Sequence, residues 1–181
     1  MNERPDRSEA AEYYFTYIDK VPQGDIRQIL ERQSAEALSL LGSVSEEQSL
    51  HRYAADKWSM RGVISHWNDT ERVFVYRALW FARGFDSPLP SFDQNVAIAG
   101  AAADERSWNS HVEEFRSIRS ATLDFFKNLP PWAWDRRGIA SGNPFTVRAL
   151  AYCIVGHVAH HAAILRDRYL GAGNPAGSAG A

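Results

Sequence analysis

The chain has 181 residues, 45% of them hydrophobic, which is enough for one continuous core and close to the usual size of a single domain. Its 20 Lys and Arg against 22 Asp and Glu leave a formal charge of −2. No strong field of either sign is then available to draw in phosphate backbones or anionic lipid, so nucleic acid is not an expected partner. The single cysteine, Cys153, rules out an intrachain disulfide and fits a reducing compartment.

The charged start Met-Asn-Glu-Arg-Pro-Asp-Arg lacks the apolar stretch of a signal peptide, and no run is long enough to cross a bilayer. A soluble cytoplasmic protein with no membrane partner is the expectation. Tyr13, Tyr14, Tyr17 and Ile18 suggest a short lead-in helix stopped before Pro22. Asp25 is a plausible N-cap for a first long helix carrying Ile26, Ile29, Leu30, Ala37, Leu38 and Leu41 on one stripe and ending near Gly42. Residues 43–57 are polar and show no clear period.

Ser59 is a good N-cap for a second run, in which Val63, Ile64, Trp67, Phe74, Ala78 and Phe81 share a face until Gly84. Residues 85–103, with Pro88, Pro90, Gly100 and several alanines, are longer than an ordinary connection. Such loops shape a binding site or dimer contact about as often as they serve as solvated crossovers. Asp104 is placed to cap a third helix with Trp108, Val112, Phe115, Ile118, Leu123 and Phe126, terminated by Pro130 and Pro131.

A Trp-rich turn and a Ser-Gly-Asn-Pro segment follow, and Thr146 is placed to cap a fourth helix from Val147 to Leu170, stopped by Gly171. The Gly/Ala-rich residues 172–181 read as a disordered tail, leaving 1–171 as one domain. Four long amphipathic segments without a convincing alternating strand imply an all-α protein, a helical bundle.

Three histidines fall on two of these helices. His157 and His161, four apart, project from one helical face with Cβ atoms about 5–6 Å apart, within reach of one divalent metal. His66, from the second helix, would complete a three-nitrogen site with positions left for water or substrate. A His-x3-His pair is weak alone, and two polar residues at a bundle edge are the ordinary explanation. Against that stand Val155, Val158 and Leu165, which put the pair in an apolar setting where an unpartnered imidazole is costly.

Val158 occupies the place of the glutamate in a His-Glu-x-x-His zinc-protease signature, which disfavours that mechanism. His160, rotated about 100° from His161, does not point at the same ion and is expected beside the site, at an interface or in solvent. Cys153, one turn before His157, is either a fourth ligand or, more commonly for a lone helical cysteine, small core filling. Asp69 either orients an imidazole or bound water, or pairs with Arg72 at i+3.

The six tryptophans are read mainly as core, with an apolar cleft permitted, and His51 and His111, in polar surroundings, are given no role. No Gly-x-Ser-x-Gly elbow, P-loop or dinucleotide fingerprint is present.

The run Lys57-Trp58-Ser59-Met60-Arg61-Gly62-Val63-Ile64-Ser65-His66, continued by Asp69 to Phe74 and Tyr76 to Leu79, resembles the DinB family. So do Ser141-Gly142-Asn143-Pro144, the segment Gly156 to His161, and the ending Leu165 to Leu170. The resemblance, over roughly residues 25–170, implies an up-down-down-up four-helix bundle with a long crossover between the second and third long helices, for which residues 85–103 are available. It implies a homodimer and a divalent metal, nickel or zinc, held by His66, His157 and His161.

By analogy with thiol-dependent relatives, it also implies an enzyme activating a low-molecular-weight thiol for transfer to a small electrophilic substrate. That reading is favoured over hydrolysis by an activated water. The alternative is a non-catalytic bundle, a stress-related dimer or small-ligand-binding module that keeps the histidines without turnover.

Overall fold

The computed structural model describes residues 3–171; the tail expected to be disordered, 172–181, lies outside the described residues. Four long helices form the bundle: α2 (Ile26–Gly42), α3 (Met60–Ala82), α5 (Trp108–Lys127) and α6 (Val147–Ile164). Two short ones, α1 (Phe15–Ile18) and α4 (Gln94–Gly100), lie in the lead-in and the crossover. No helix among the described residues is long and apolar enough to cross a membrane.

The long helices begin where side-chain oxygens satisfy free backbone N–H groups. Asp25 accepts from the N–H of Arg27, Ser59 from Gly62, Ser107 from Ser110 and Thr146 from Ala149. Asp104, expected to cap the third long helix, does not. Its carboxylate accepts from the Ser59 hydroxyl and, at 2.5 Å, from Arg52, so the cap passes to Ser107. Arg61, buried under the same corner, donates to the Asp104 and Arg106 carbonyls and to Glu46, tying the crossover's end to α3.

α3 packs on α5 and α6, and α2 on the same two, so the consecutive pairs α2/α3 and α5/α6 sit diagonally in an up-down-down-up bundle. In this order α3 and α5 run parallel, and the chain must return along about 34 Å of α3 before α5 starts. The crossover does so. It is not structureless as the sequence suggests, because Asp93 accepts from the N–H groups of Asn95 and Val96 and starts α4.

A second difference is the two-stranded hairpin β1 (Arg137–Ala140) and β2 (Asn143–Thr146), where no strand is expected. Ser141 (φ 53°) and Gly142 (φ 72°) supply the two positive φ angles of a type I′ turn. The strands are four residues long, too short to reveal an alternating pattern. Leu89 exchanges backbone hydrogen bonds with Ile139 and Ser141, so the hairpin clasps the start of the crossover.

The apolar interior falls into two clusters. One gathers Ile18, Leu30, Phe74, Phe81, Phe126, Leu150 and Ile154, the other Leu41, Ile64, Trp67, Phe115, Val158 and Leu165. Between them runs a polar belt drawn from every long helix: Gln33, His66, Glu71, Arg119, Thr122 and His157. Arg119 donates to both Glu71 carboxylate oxygens, at 2.9 and 2.7 Å, and to Gln33 at 3.1 Å; Gln33 in turn donates to the Val155 carbonyl at 2.8 Å. These bonds link all four long helices.

Candidate metal centre

His66 comes from α3, and His157 and His161 lie one turn apart on α6, the helix against which α3 packs. The three imidazoles expected from the sequence meet. His66 Nε2 lies 3.0 Å from His157 Nε2, and His161 Nε2 lies 3.1 Å from it. One ligand atom from each residue falls within 4.8 Å of the others, and no second such group of His, Cys, Asp and Glu occurs among the described residues.

Two nitrogens each about 2.0–2.1 Å from one ion stand about 2.9 Å apart at a right angle and about 3.4 Å apart in a tetrahedron. The two spacings about His157 fall in that interval and all three ligand atoms lie within 4.8 Å of one another, so the residues fit a divalent ion. Their charge state fits as well. Burial holds His66 down at about 4, helped by the nearby His160, and holds His161 down at about 3, helped by His66 and His160. His157 is lowered well below the ordinary histidine range, first by burial and then by its three histidine neighbours. All three are neutral at pH 7, with lone pairs available to a metal.

Aromatic rings enclose the cluster. Tyr17 meets the His157 ring edge-on at 5.5 Å, and Trp58 lies 5.2 Å from the His66 ring. Beyond Ile164 the helix widens into π geometry, Leu165–Leu170, and Tyr169 donates to the Trp58 carbonyl at 2.7 Å, holding that wall. Gly156 brings α1 close: a Cβ there would lie 2.1 Å from the Tyr17 carbonyl oxygen. This is the packing requirement behind the glycine that precedes His157.

The neighbouring candidates separate. Asp69 pairs with Arg72 at 3.4 Å, while Thr70 Oγ1 lies 3.4 Å from His66 Nδ1 and is the group placed to orient that ring. Cys153 is fully buried in the core, its thiol pushed up by burial, and it stands outside the histidine cluster. His160 is half-buried, edge-on to Tyr17 at 5.6 Å.

His111, expected in polar surroundings without a role, lies inside the protein. It is fully buried, with Nε2 2.9 Å from the Ala103 carbonyl oxygen. Trp67, Trp108 and Trp134 are core, Trp58 walls the site, and Trp132 is exposed.

A cleft of about 430 Å³ reaches the centre at His66 and His157, lined also by Tyr13, Tyr14, Tyr17, Phe74, Arg77, Phe92 and Ser141. A second, of about 290 Å³, reaches it at His161 between Trp58 and Tyr169. Apart from His66 and His157, the residues lining the first cleft carry no role that the sequence alone assigns. A signal existed for two of them, since Thr70 and Arg77 fall at +4 and +11 from His66 on the same helix face.

The sequence matches the DinB superfamily model over residues 29–165, and the chain belongs to that superfamily. The fold is similar to that of YfiT from Bacillus subtilis, described as a probable metal-dependent hydrolase with an unusual four-helix bundle topology. The TM-score is 0.73 at 15% identity, over 95% of this chain and 94% of that one. It is also similar to the mycothiol-dependent maleylpyruvate isomerase, with a TM-score of 0.66 at 13% identity, over 81% of this chain and 61% of that longer protein. No curated protein matches the sequence significantly.

Proposed function

We propose that this chain is a metal-dependent enzyme in which His66, His157 and His161 hold a divalent ion, nickel or zinc, beside a substrate cleft. The observation that carries the reading is the convergence of three neutral Nε2 atoms, 3.0 and 3.1 Å about His157, where a cleft of about 430 Å³ ends. Such an ion lowers the pKa of a bound thiol or water and so supplies a nucleophile at neutral pH.

The chain's own residues then do the positioning. Thr70 fixes the His66 ring, Tyr17 and Trp58 shield the imidazoles from bulk water, and the cleft admits a small electrophile. With a low-molecular-weight thiol, sulfur bonds to the electrophilic carbon, the leaving group departs with its electron pair, and the thiol proton passes to solvent. With water, the same balance gives hydrolysis. Thiol transfer is the favoured arm, supported by likeness in fold to a protein named as mycothiol-dependent, and a homodimer is the proposed assembly.

The test is metal content after purification without chelator, for the wild type and for His157→Ala, which removes the nitrogen facing both others. The wild type should carry close to one nickel or zinc per chain and the variant almost none. Equal metal content in the two would refute the site.

A further inference from the structure

Arg77 is the charged residue of the cleft that neither the bundle nor the histidine centre accounts for. It is 4% exposed, and with His66, Thr70, Val73 and Phe74 it makes the α3 wall of the cleft. Its Nη2 donates to the Pro90 carbonyl at 3.2 Å and to the Ser141 hydroxyl at 2.7 Å, both neutral acceptors.

The other buried arginines each have an acid: Arg119 has Glu71, Arg61 has Glu46, and the mostly buried Arg148 has Glu9. Arg77 has none among the described residues. The groups acting on it are the Tyr14 hydroxyl and the Cys153 thiol, both kept neutral by burial. The acid lining the cleft, Asp93, accepts from the N–H groups of Asn95 and Val96 at the start of α4.

Burying a cation without a counterion is costly, and a guanidinium does not escape by losing its proton. Ser141, which accepts the Arg77 hydrogen bond, stands in the tight turn between β1 and β2.

We propose that Arg77 receives the carboxylate of a small organic anion whose apolar body lies along Tyr14, Phe74 and Phe92 toward His66 and His157. A planar guanidinium matches a carboxylate with two parallel hydrogen bonds, which a neutral amide cannot reproduce. Arg77 stands about 16 Å beyond His66 along the helix, and helical side chains lean toward the N-terminus, so its long arm shortens that gap. The anion would be held at one end of the cleft while its other end meets the histidines. That this anion is the substrate rests on the metal-enzyme reading; its binding does not.

The experiment is calorimetric titration of benzoate and of its neutral isostere benzamide into the full chain, stripped of metal and again loaded with nickel or zinc. The wild type should prefer benzoate at least tenfold in both states. Arg77→Gln should weaken benzoate by roughly thirtyfold or more and leave benzamide unchanged.

Equal affinity for the two probes, or a benzoate preference that survives Arg77→Gln, would overturn the proposal. Benzoate binding that needs metal but not Arg77 would overturn it while leaving the metal reading intact. Should the glutamine variant lose its helical circular dichroism, Arg77→Lys decides. It keeps the charge but not the fork, and it should weaken benzoate roughly fivefold; unchanged affinity there refutes the proposal.

Discussion

At the scale of single residues, the site depends on how each imidazole is turned as much as on its presence. His66 Nε2 faces His157 only if the other ring nitrogen is held, and Thr70 Oγ1 at 3.4 Å is the group that meets it. Partners of this kind fix tautomer and orientation, and their removal typically weakens metal binding by about 10–100-fold. Thr70→Val keeps the shape and β-branching and deletes the oxygen. Nickel or zinc affinity, measured by competition with a chromophoric chelator, should fall about tenfold at unchanged stoichiometry; unchanged affinity would remove Thr70 from the site.

His157 and His161 are legible in the sequence as a pair because a four-residue spacing means one helical face, whereas His66 joins them only through its place on a second bundle helix and the family resemblance. Thr70 was hidden by its neighbour: Asp69 is the chemically stronger candidate, yet it lies about 100° around the helix and is taken by Arg72. His111 misled for the opposite reason. Asn109, Ser110, Glu113 and Glu114 around it are polar, whereas its burial comes from the end of the crossover at Ala103, eight residues earlier.

At the scale of elements, the polar belt sets how the four long helices stand against one another. Glu71 on α3 and Arg119 on α5 are 1% and 0% exposed at the side chain, and their pairing is bidentate. Cutting one partner from such a pair leaves a buried charge and typically costs about 3–5 kcal/mol, whereas replacing both by apolar groups of similar volume is near neutral. Arg119→Met should therefore lower unfolding stability by about 3–5 kcal/mol in urea titrations. Adding Glu71→Leu to it should recover most of the loss, because the stranded carboxylate is gone. If the double variant were as unstable as the single one, the belt would be holding helix register through Thr122 and Gln33 as well.

Such a belt is hard to read from a helical stripe. Gln33, Glu71 and Arg119 look like ordinary solvent-facing residues until the partner helices are in place. The caps at Asp25, Ser59 and Thr146 were readable because capping is local. The seven residues of α4 and the four-residue strands are too short to show a period, and they depend on contacts between the crossover and the hairpin.

At the scale of the whole molecule, the cleft exists only because the lead-in is fastened back onto the hairpin and α6. Tyr13, Tyr14 and Tyr17 form one wall, and the clasp is Glu9, which is 4% exposed. It accepts from Arg148 at 2.7 and 3.0 Å and from the Thr146 hydroxyl at 2.7 Å, and its side chain receives the Asp6 N–H at 2.9 Å.

Burial works to raise the Glu9 carboxyl, but the hydrogen bonds from Arg148, Asp6 and Thr146 outweigh it and hold the group below its ordinary 4.5. A carboxyl whose pKa is lower folded than unfolded leaves the unfolded chain binding more protons in the window between the two values. Its stabilisation is thus fully present above about pH 4.5 and is lost as the pH falls through the folded value. Glu9→Gln, which cannot ionise, should cost about 1.5–3 kcal/mol at pH 7. Its stability deficit should shrink steadily below pH 4.5 as the wild type becomes protonated. Urea midpoints for both proteins from pH 7 to pH 3 test this. A deficit that stays constant across the range would mean that shape, and not the charge on Glu9, closes the lead-in over the cleft.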